Sequence, residues 1–507
     1  MKNSVRIPNS SFPRKRESIV SANAPPRLDS QSSQGWKVLN INHNGNNSHM
    51  GCGGEGRAAR LPIKAAGKGV VPTTHASRAP APGTADDHGL AASNLGRGPA
   101  PALATPGLCS HTQPEEPTPG GLLQDSRAWV EVDEGAIIHN TRLLRRRIGP
   151  HVKLMAVVKA NGYGHGDGTT AKAARTGGAD AFAVASLAEA VGLRHQGLQE
   201  PILVLGHLSL VDEAHACLRW RLLPTISTLD QARLFHTVAS RSGACLPVHV
   251  NLDTGMARLG VPWQEGAALI QAILRLEGLR VEGIYSHLAA ADAVDPGLTQ
   301  QQQQRFDQVL AALTNGHPPR FCRHLANSAA AMTDSGLHYD MVRVGLALYG
   351  HASAEHLEGR LPLRPAMAVR ARVTILKTVP AGTGVSYDHR YHTQRPSRLA
   401  VVAIGYADGV PRLLSGRMGV LHGGRWLPQV GSITMDQVMI DATDHPQLHT
   451  GAVVTLLGKD GAASISPRQW SRTCGTIPWD ILCGFSSRLP RLRAGHSTGH
   501  GGQSAVS

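Results

Sequence analysis

From about residue 125 the chain alternates short, largely apolar runs with longer stretches in which apolar residues recur at helical spacing. The runs are Leu154–Val158, Ala181–Val184, Ile202–Leu205, Val248–Leu252, Gly283–Ser286 and Met341–Val344. Their length and largely apolar content predict strands covered on both faces, as in a parallel sheet. Helices are predicted between them, among others at Leu187–His195, Leu229–Ala239 and Gln301–Leu313. An alternating strand at Arg127–Asp133 and a helix from Glu134 precede the series. A βα unit repeated over about 230 residues predicts an α/β fold built on a (β/α)8 barrel of the TIM type, placed here at 125–361. An open doubly wound sheet is the competing arrangement of the same units. Beyond about residue 362 the pattern changes to β-branched strands between turns, as at Ala368–Leu376, Ala400–Ile404 and Val453–Leu457. This predicts a second, mainly β domain over 362–493.

Residues 1–124 lack such periodicity and are rich in Pro, Gly, Ser, Ala and Asn. A segment this poor in core formers cannot offset its ordering entropy, so disorder is expected there and in the Gly/Ser/His-rich residues 494–507. Ser11–Ser18 is similar to translated intergenic repeat sequence. Two readings of the extension therefore stay open, a functional arm or a start codon assigned too far upstream.

Charge adds little to this picture. The net charge is +15, of which residues 1–124 hold +6, and the remainder is mixed in sign without interleaved aromatics. That distribution describes a solvated basic surface and no nucleic-acid partner. The seven cysteines are scattered and odd in number, without metal-ligand spacing, and point to reduced thiols in a cytoplasmic protein with no metal. Cys483, in the apolar context Ile481–Gly484, is expected to pack. No apolar run reaches the length that spans a bilayer, and no secretory signal is expected.

The chemistry begins at Lys159, which the run Leu154–Val158 delivers into the glycine-rich turn Ala160-Asn161-Gly162-Tyr163-Gly164-His165-Gly166. A lone lysine there reads more simply as one that snorkels out of a loop. Held in a shaped pocket, its amine can instead condense with an aldehyde, the Schiff-base chemistry of pyridoxal phosphate (PLP). No Gly-Lys-Ser/Thr follows, so the turn is not a phosphate loop of the nucleotide-binding kind.

Val157 to Gly166 resembles the PLP-lysine motif of alanine racemases. Seven further segments match that family in order: Asp253–Gly260, Tyr285–His287, His324–Ser328, Val342–Gly350, Val385–Tyr387, Gly405–Gly409 and Thr434–Gln437. The resemblance covers about Ala128 to Pro490. It implies a PLP enzyme that interconverts L- and D-alanine for peptidoglycan. It also implies a homodimer whose active sites are shared between subunits. Lys159 and Tyr387 would be the two acid/base groups, with Tyr387 supplied by the other subunit. Tyr163, Asn327, Ser328 and the backbone N–H groups of Gly345 and Leu346 would cradle the phosphate. Arg343 would face the pyridine nitrogen, His287 would link it to the tyrosine, and Arg258 and Met435 would contact the substrate carboxylate.

The chemistry agrees with these residue types. Racemisation removes a proton from one face of Cα and returns it to the other, so two bases are needed. A phenol has an ordinary pKa of about 10 and must be tuned by a partner to serve.

Three positions depart from the family pattern. Asn251 stands where many relatives carry a lysine, often carboxylated, that orients the equivalent of Arg258. A bound anion or another side chain would then have to supply the negative charge. Trp479 replaces a phosphate-binding tyrosine, and Val344 replaces a proline. The first two keep open a racemase of broader or different specificity, for instance for serine. Barrel-type PLP decarboxylases are a rival class that places an acid where Arg343 stands. A non-enzymatic PLP carrier would normally lack the second domain.

Deleting residues 1–124 is predicted to leave activity and melting temperature nearly unchanged. Thermal melts and turnover of the shortened protein check this, and an insoluble or inactive product would show that the extension belongs to the fold.

Overall fold

In the computed structural model eight strands form one parallel sheet, in the order Met341–Val344, Lys153–Val157, Ala181–Val184, Ile202–His207, Leu223–Ile226, Leu246–Asp253, Leu279–Tyr285 and Cys322–His324. The model describes residues 126–314 and 321–495. Apart from Ala494 and Gly495, the segments expected to be disordered lie outside them. The first and last strands meet at a seam where Asp340 N–H donates to Arg323 O at 3.0 Å and Arg343 N–H donates to Ala326 O at 2.9 Å. Arg323 and Asp340 add a two-pronged ion pair across it. The sheet is thus a nearly closed barrel, as the repeated βα pattern predicts.

Residues of the predicted runs are fully buried, among them Leu154, Ala156, Phe182, Val184, Leu203, Val250 and Ile284. Helices such as Asp167–Thr176, Leu187–His195, Leu229–Arg241 and Trp263–Ile273 cover the outside. Two strands escaped the hydrophobic pattern. Leu223–Ile226 contains Pro224, and Cys322–His324 is only three residues long and carries Arg323. Their neighbours' hydrogen-bonding edges recruit them, a non-local cause that periodicity cannot register.

The second domain is a nine-stranded sheet whose long strand Met367–Val379 pairs antiparallel with both Ser397–Val402 and Val453–Asp460. Its composition departs from the sequence reading at one point. Strand Ala128–Val132, grouped with the barrel by its place in the chain, joins this sheet instead. It pairs antiparallel with Met367–Val379, Val130 opposite Val369, and parallel with Arg491–Arg493, Glu131 opposite Leu492. No helix among the described residues is long and apolar enough to cross a membrane.

One buried carboxylate ties the entering chain to this domain. Asp408 is fully buried and accepts from both terminal nitrogens of Arg127, at 3.0 and 2.7 Å, and from Gly405 N–H at 2.9 Å. Arg127 also donates to Ala403 O at 2.6 Å. Removing the guanidinium leaves Asp408 with Arg488, 3.4 Å away, as its remaining cation. Arg127→Ala is predicted to lower the unfolding free energy by about 2 kcal/mol, since the lost bonds are charge-assisted and one partner is buried. Denaturant titration checks the value, and a change under about 0.5 kcal/mol, ordinary for surface positions, would show that the pair does not anchor the strand.

Candidate active site

Lys159 opens a turn whose backbone runs left-handed: φ is 53° at Ala160 and Asn161, 60° at Gly162 and 50° at Tyr163. Left-handed geometry costs about 1–2 kcal/mol for each residue with a Cβ, so surrounding bonds must hold it. Glu189 is the main clamp. One carboxylate oxygen accepts from Ala160 N–H at 2.7 Å, and the other accepts from Ala185 and Ser186 N–H at 2.8 and 3.0 Å. Asn161 Oδ1 accepts from Asp167 N–H at 3.1 Å, and Arg491 Nε donates to Gly164 O at 3.0 Å. Gly164 has φ +81°, and a Cβ there would lie 2.2 Å from Leu482 O, so only glycine fits.

Burial, then the cation of Arg258, push the Lys159 amine below its ordinary pKa, with Glu189 and Cys483 acting in the opposite sense. Cys483 was expected to pack. It is exposed instead, because the short helix Pro478–Cys483 turns Ile481 and Leu482 inward and leaves the thiol at its end, toward the lysine.

Tyr163 is buried and stacks on Tyr349 at 4.9 Å. Its hydroxyl lies against Gly345, where a Cβ would come within 2.6 Å of it. Ser328 Oγ accepts from the N–H groups of Gly345 and Ala347 at 3.0 and 3.4 Å. Tyr163, Ser328, Gly345 and Leu346 therefore form one small polar patch in an otherwise apolar wall. Asn327 is next to it, but its Oδ1 caps helix Ser328–Thr333 by accepting from Ala330 N–H at 3.2 Å. Only its amide nitrogen is left to serve as the donor the family resemblance implies.

Arg343, 4% exposed, is the third of the four residues of strand Met341–Val344. Its terminal nitrogens donate to Ser286 O at 2.7 Å, His324 O at 2.9 Å and Leu325 O at 3.4 Å. They also reach His324 Nδ1 at 3.2 Å and His287 Nδ1 at 3.3 Å. No carboxylate pairs with it among the described residues. Burial lowers the Arg343 pKa to about 10, which still leaves the guanidinium charged at neutral pH. Burial, with Arg343, Arg258 and Lys159 adding repulsion in that order, holds His287 at about 3 and therefore neutral. Lys159, Arg258, His287 and Arg343 thus share one electrostatic neighbourhood at the carboxyl ends of the strands, where barrel enzymes carry their sites.

Two of the residues singled out in the sequence stand apart from that group. Tyr387 is 67% exposed and Met435 52% exposed, and neither side chain makes a hydrogen bond among the described residues. The Tyr387 loop is nonetheless fixed. Ser386, Asp388 and His389 all have positive φ, Ser386 Oγ donates to Ser432 O at 2.7 Å, and Ser432 Oγ donates to Tyr387 O at 3.1 Å. Val385, Leu399, Val430 and Met439 form a small core of their own beneath it. Asn251 is buried, and Arg258 is exposed without an ion pair among the described residues. Trp479 packs half-buried against the core, and Val344 is buried in its strand without a further role.

Glu189 and His249 are the site-forming residues that sequence reasoning passed over. A polar residue inside the apolar run Val248–Leu252 was the available signal for His249, whereas nothing local distinguishes Glu189 from a surface helix residue.

Family models of the alanine racemase N-terminal and C-terminal domains match residues 132–353 and 366–493. An alanine racemase of Prochlorococcus marinus is 51% identical over 370 residues, covering 72% of this chain and 96% of the relative. One from Synechocystis is 48% identical over 368 residues, covering 72% and 98%. The crystal structure of alanine racemase from Bacillus anthracis with bound L-Ala-P superimposes with a TM-score of 0.68 at 36% identity, covering 72% of this chain and 94% of that one. With both domain models matched in order along the described fold, the chain belongs to the alanine racemase family.

Proposed function

We propose that the chain interconverts L- and D-alanine, using PLP bound at Lys159, as a cytoplasmic homodimer that supplies D-alanine for peptidoglycan. The observation that carries this reading is the buried Arg343, held by neutral acceptors alone beside Lys159 and His287. A PLP decarboxylase of the same fold would need an acid at that position.

The donor set suits PLP. The Tyr163 and Ser328 hydroxyls, the Leu346 N–H and the Asn327 amide are neutral donors fit for a phosphate, the Gly345 N–H would have to turn to it from Ser328 Oγ, and a side chain at position 345 would fill the space they border. Bound there, PLP supplies an electron sink that acidifies Cα of the amino acid. The chain's own groups do the rest. Lys159 Nζ, with its pKa lowered, is unprotonated at lower pH than an ordinary lysine and can take or return the Cα proton on one face. Arg343 has N–H groups and no acceptor, so it would hold a cofactor ring nitrogen set against it unprotonated and would restrain electron withdrawal.

That same donor character sets the state of His287. Its Nδ1 accepts from Arg343, so in the neutral ring Nε2 carries the proton and can donate to a phenolate, the stabilisation that a tyrosine base requires. Tyr387 fills that role. Its exposure on a fixed loop supports a task at a second subunit, completing that subunit's site. Asn251 and Trp479 bear on which amino acid fits and leave the proton transfer untouched.

Borohydride treatment of the protein incubated with PLP is predicted to fix the cofactor on Lys159. Peptide mass mapping reads the position, and a label on another lysine would refute the assignment.

Lys159→Ala and Tyr387→Phe homodimers should each be nearly inactive, yet their mixture should recover about a quarter of wild-type activity. Random exchange makes about half the dimers mixed, each with one intact site of two. A mixture that stays inactive after subunit exchange is independently confirmed would sink the shared site.

A further inference from the structure

A chain of buried rings extends from Arg343 away from the site. Arg343 Nη1 lies 3.2 Å from His324 Nδ1, and His324 Nε2 lies 2.9 Å from His249 Nδ1. The two imidazoles meet edge to face, 69° apart, with centroids at 5.0 Å. His324 is fully buried and His249 is 4% exposed. Tyr285 backs them: its ring stacks on His324 at 4.8 Å, and the Arg343 guanidinium lies 5.0 Å from its centroid. The Tyr285 hydroxyl is pinned at Thr225 Oγ1, 3.0 Å away, whose own proton goes to Val204 O at 2.7 Å. The barrel also makes room for His249. A Cβ at Gly283 would fall 2.4 Å from its Nδ1, so the neighbouring strand has to carry glycine there.

The direction of this chain follows from one fact, that arginine only donates. His324 Nδ1 must accept from Arg343. A neutral His324 then carries its proton on Nε2 and donates it to His249 Nδ1, which accepts. We propose that His249 is a positioning residue for Arg343: by accepting from His324 it holds that ring in the one tautomer that can accept from the guanidinium. The proposal rests on the reading of Arg343 given above and goes beyond it by naming what keeps the arginine in place. Burial supports it by keeping both rings neutral. His249 is lowered to about 3 by desolvation and then by Arg343 and Lys153, and His324 falls well below its ordinary value through desolvation, His249 and Arg343.

An ordinary core histidine would fill the same space with no preferred proton arrangement. The relay demands one. Without an acceptor at position 249, the His324 Nε2–H is buried and unpaired. If the proton moves to Nδ1, it faces the Arg343 N–H groups, donor against donor. The first arrangement carries the cost of an unmet buried donor, and the second, which relieves it, takes from the guanidinium one of its side-chain acceptors.

Two variants separate the readings. In His249→Asn the side-chain Oδ1 stands close to where Nδ1 was and keeps the acceptor, whereas His249→Leu removes it. In full-length protein labelled with 15N-histidine, with the His324 signals identified by their loss in His324→Gln, wild type should show His324 protonated at Nε2 and bare at Nδ1. His249→Leu should shift that pattern and lower kcat for alanine about tenfold, the scale of one unmade buried hydrogen bond, with little change in KM. His249→Asn should keep the wild-type tautomer and recover kcat to within about threefold of wild type. A wild-type His324 protonated at Nδ1 would overturn the proposal outright. So would Leu and Asn variants equally impaired with the His324 pattern unchanged. The tautomer is read without any turnover, so a chain that failed to racemise alanine would count against the proposed function, while the 15N pattern alone would decide the relay.

Discussion

A guanidinium buried in the barrel mouth, with no carboxylate paired to it among the described residues, is the constraint around which the site is arranged. Taking a cation out of water is expensive unless every N–H finds an acceptor. The two terminal nitrogens of Arg343 find theirs in backbone carbonyls at the ends of neighbouring strands, Ser286 O, His324 O and Leu325 O, and in two ring nitrogens. Those carbonyls are available only because the strands stop at this level. Its own backbone N–H meanwhile closes the barrel seam on Ala326 O. Closure and cation binding thus depend on the same few residues. Because the group can only donate, it also dictates which nitrogen of each adjoining histidine is bare, and so which nitrogen of His287 is left to act on a substrate-side group.

The lysine arm shows the complementary strategy, a strained backbone held by many weak partners. Ala160, Asn161 and Tyr163 sit in the left-handed region, a state that isolated residues visit singly and that costs free energy in a run. Glu189 from the next helix, Arg491 from the far end of the chain and the carbonyl of Leu482 close around this turn. The result places Lys159 where burial and Arg258 both disfavour its charged form. The β domain therefore contributes twice to the lysine's setting, through Arg491 and through helix Pro478–Cys483. The clamp on Arg127 by Asp408 holds that domain to the segment that leads into strand Ala128–Val132.

Much of this was legible in the residues. Short, largely apolar runs marked six of the eight barrel strands, because strands covered on both faces bury most of their positions. The change to β-branched strands marked the second domain. The anchors of the active site stood in family order from Val157 to Gln437. What those motifs could not show was arrangement. Asn327 was readable as part of the family motif His324–Ser328, but that its oxygen caps a helix depends on the backbone that follows it. Cys483 sat in an apolar context, yet the pitch of a short helix turned it outward.

The sequence by itself determined the barrel and the β domain, since both depend on local composition and spacing, and its family motifs marked the lysine, arginine and tyrosine that the proposed function uses. The tertiary structure decided which sheet takes the first strand, which short segments complete the barrel, and how a glycine-rich turn becomes a left-handed one. It also decided the proton positions along His287, Arg343, His324 and His249, residues separated by up to 94 positions in the chain. Strand pairing, burial and hydrogen-bond direction are set by partners distant in sequence, and a residue's own neighbours carry no record of them.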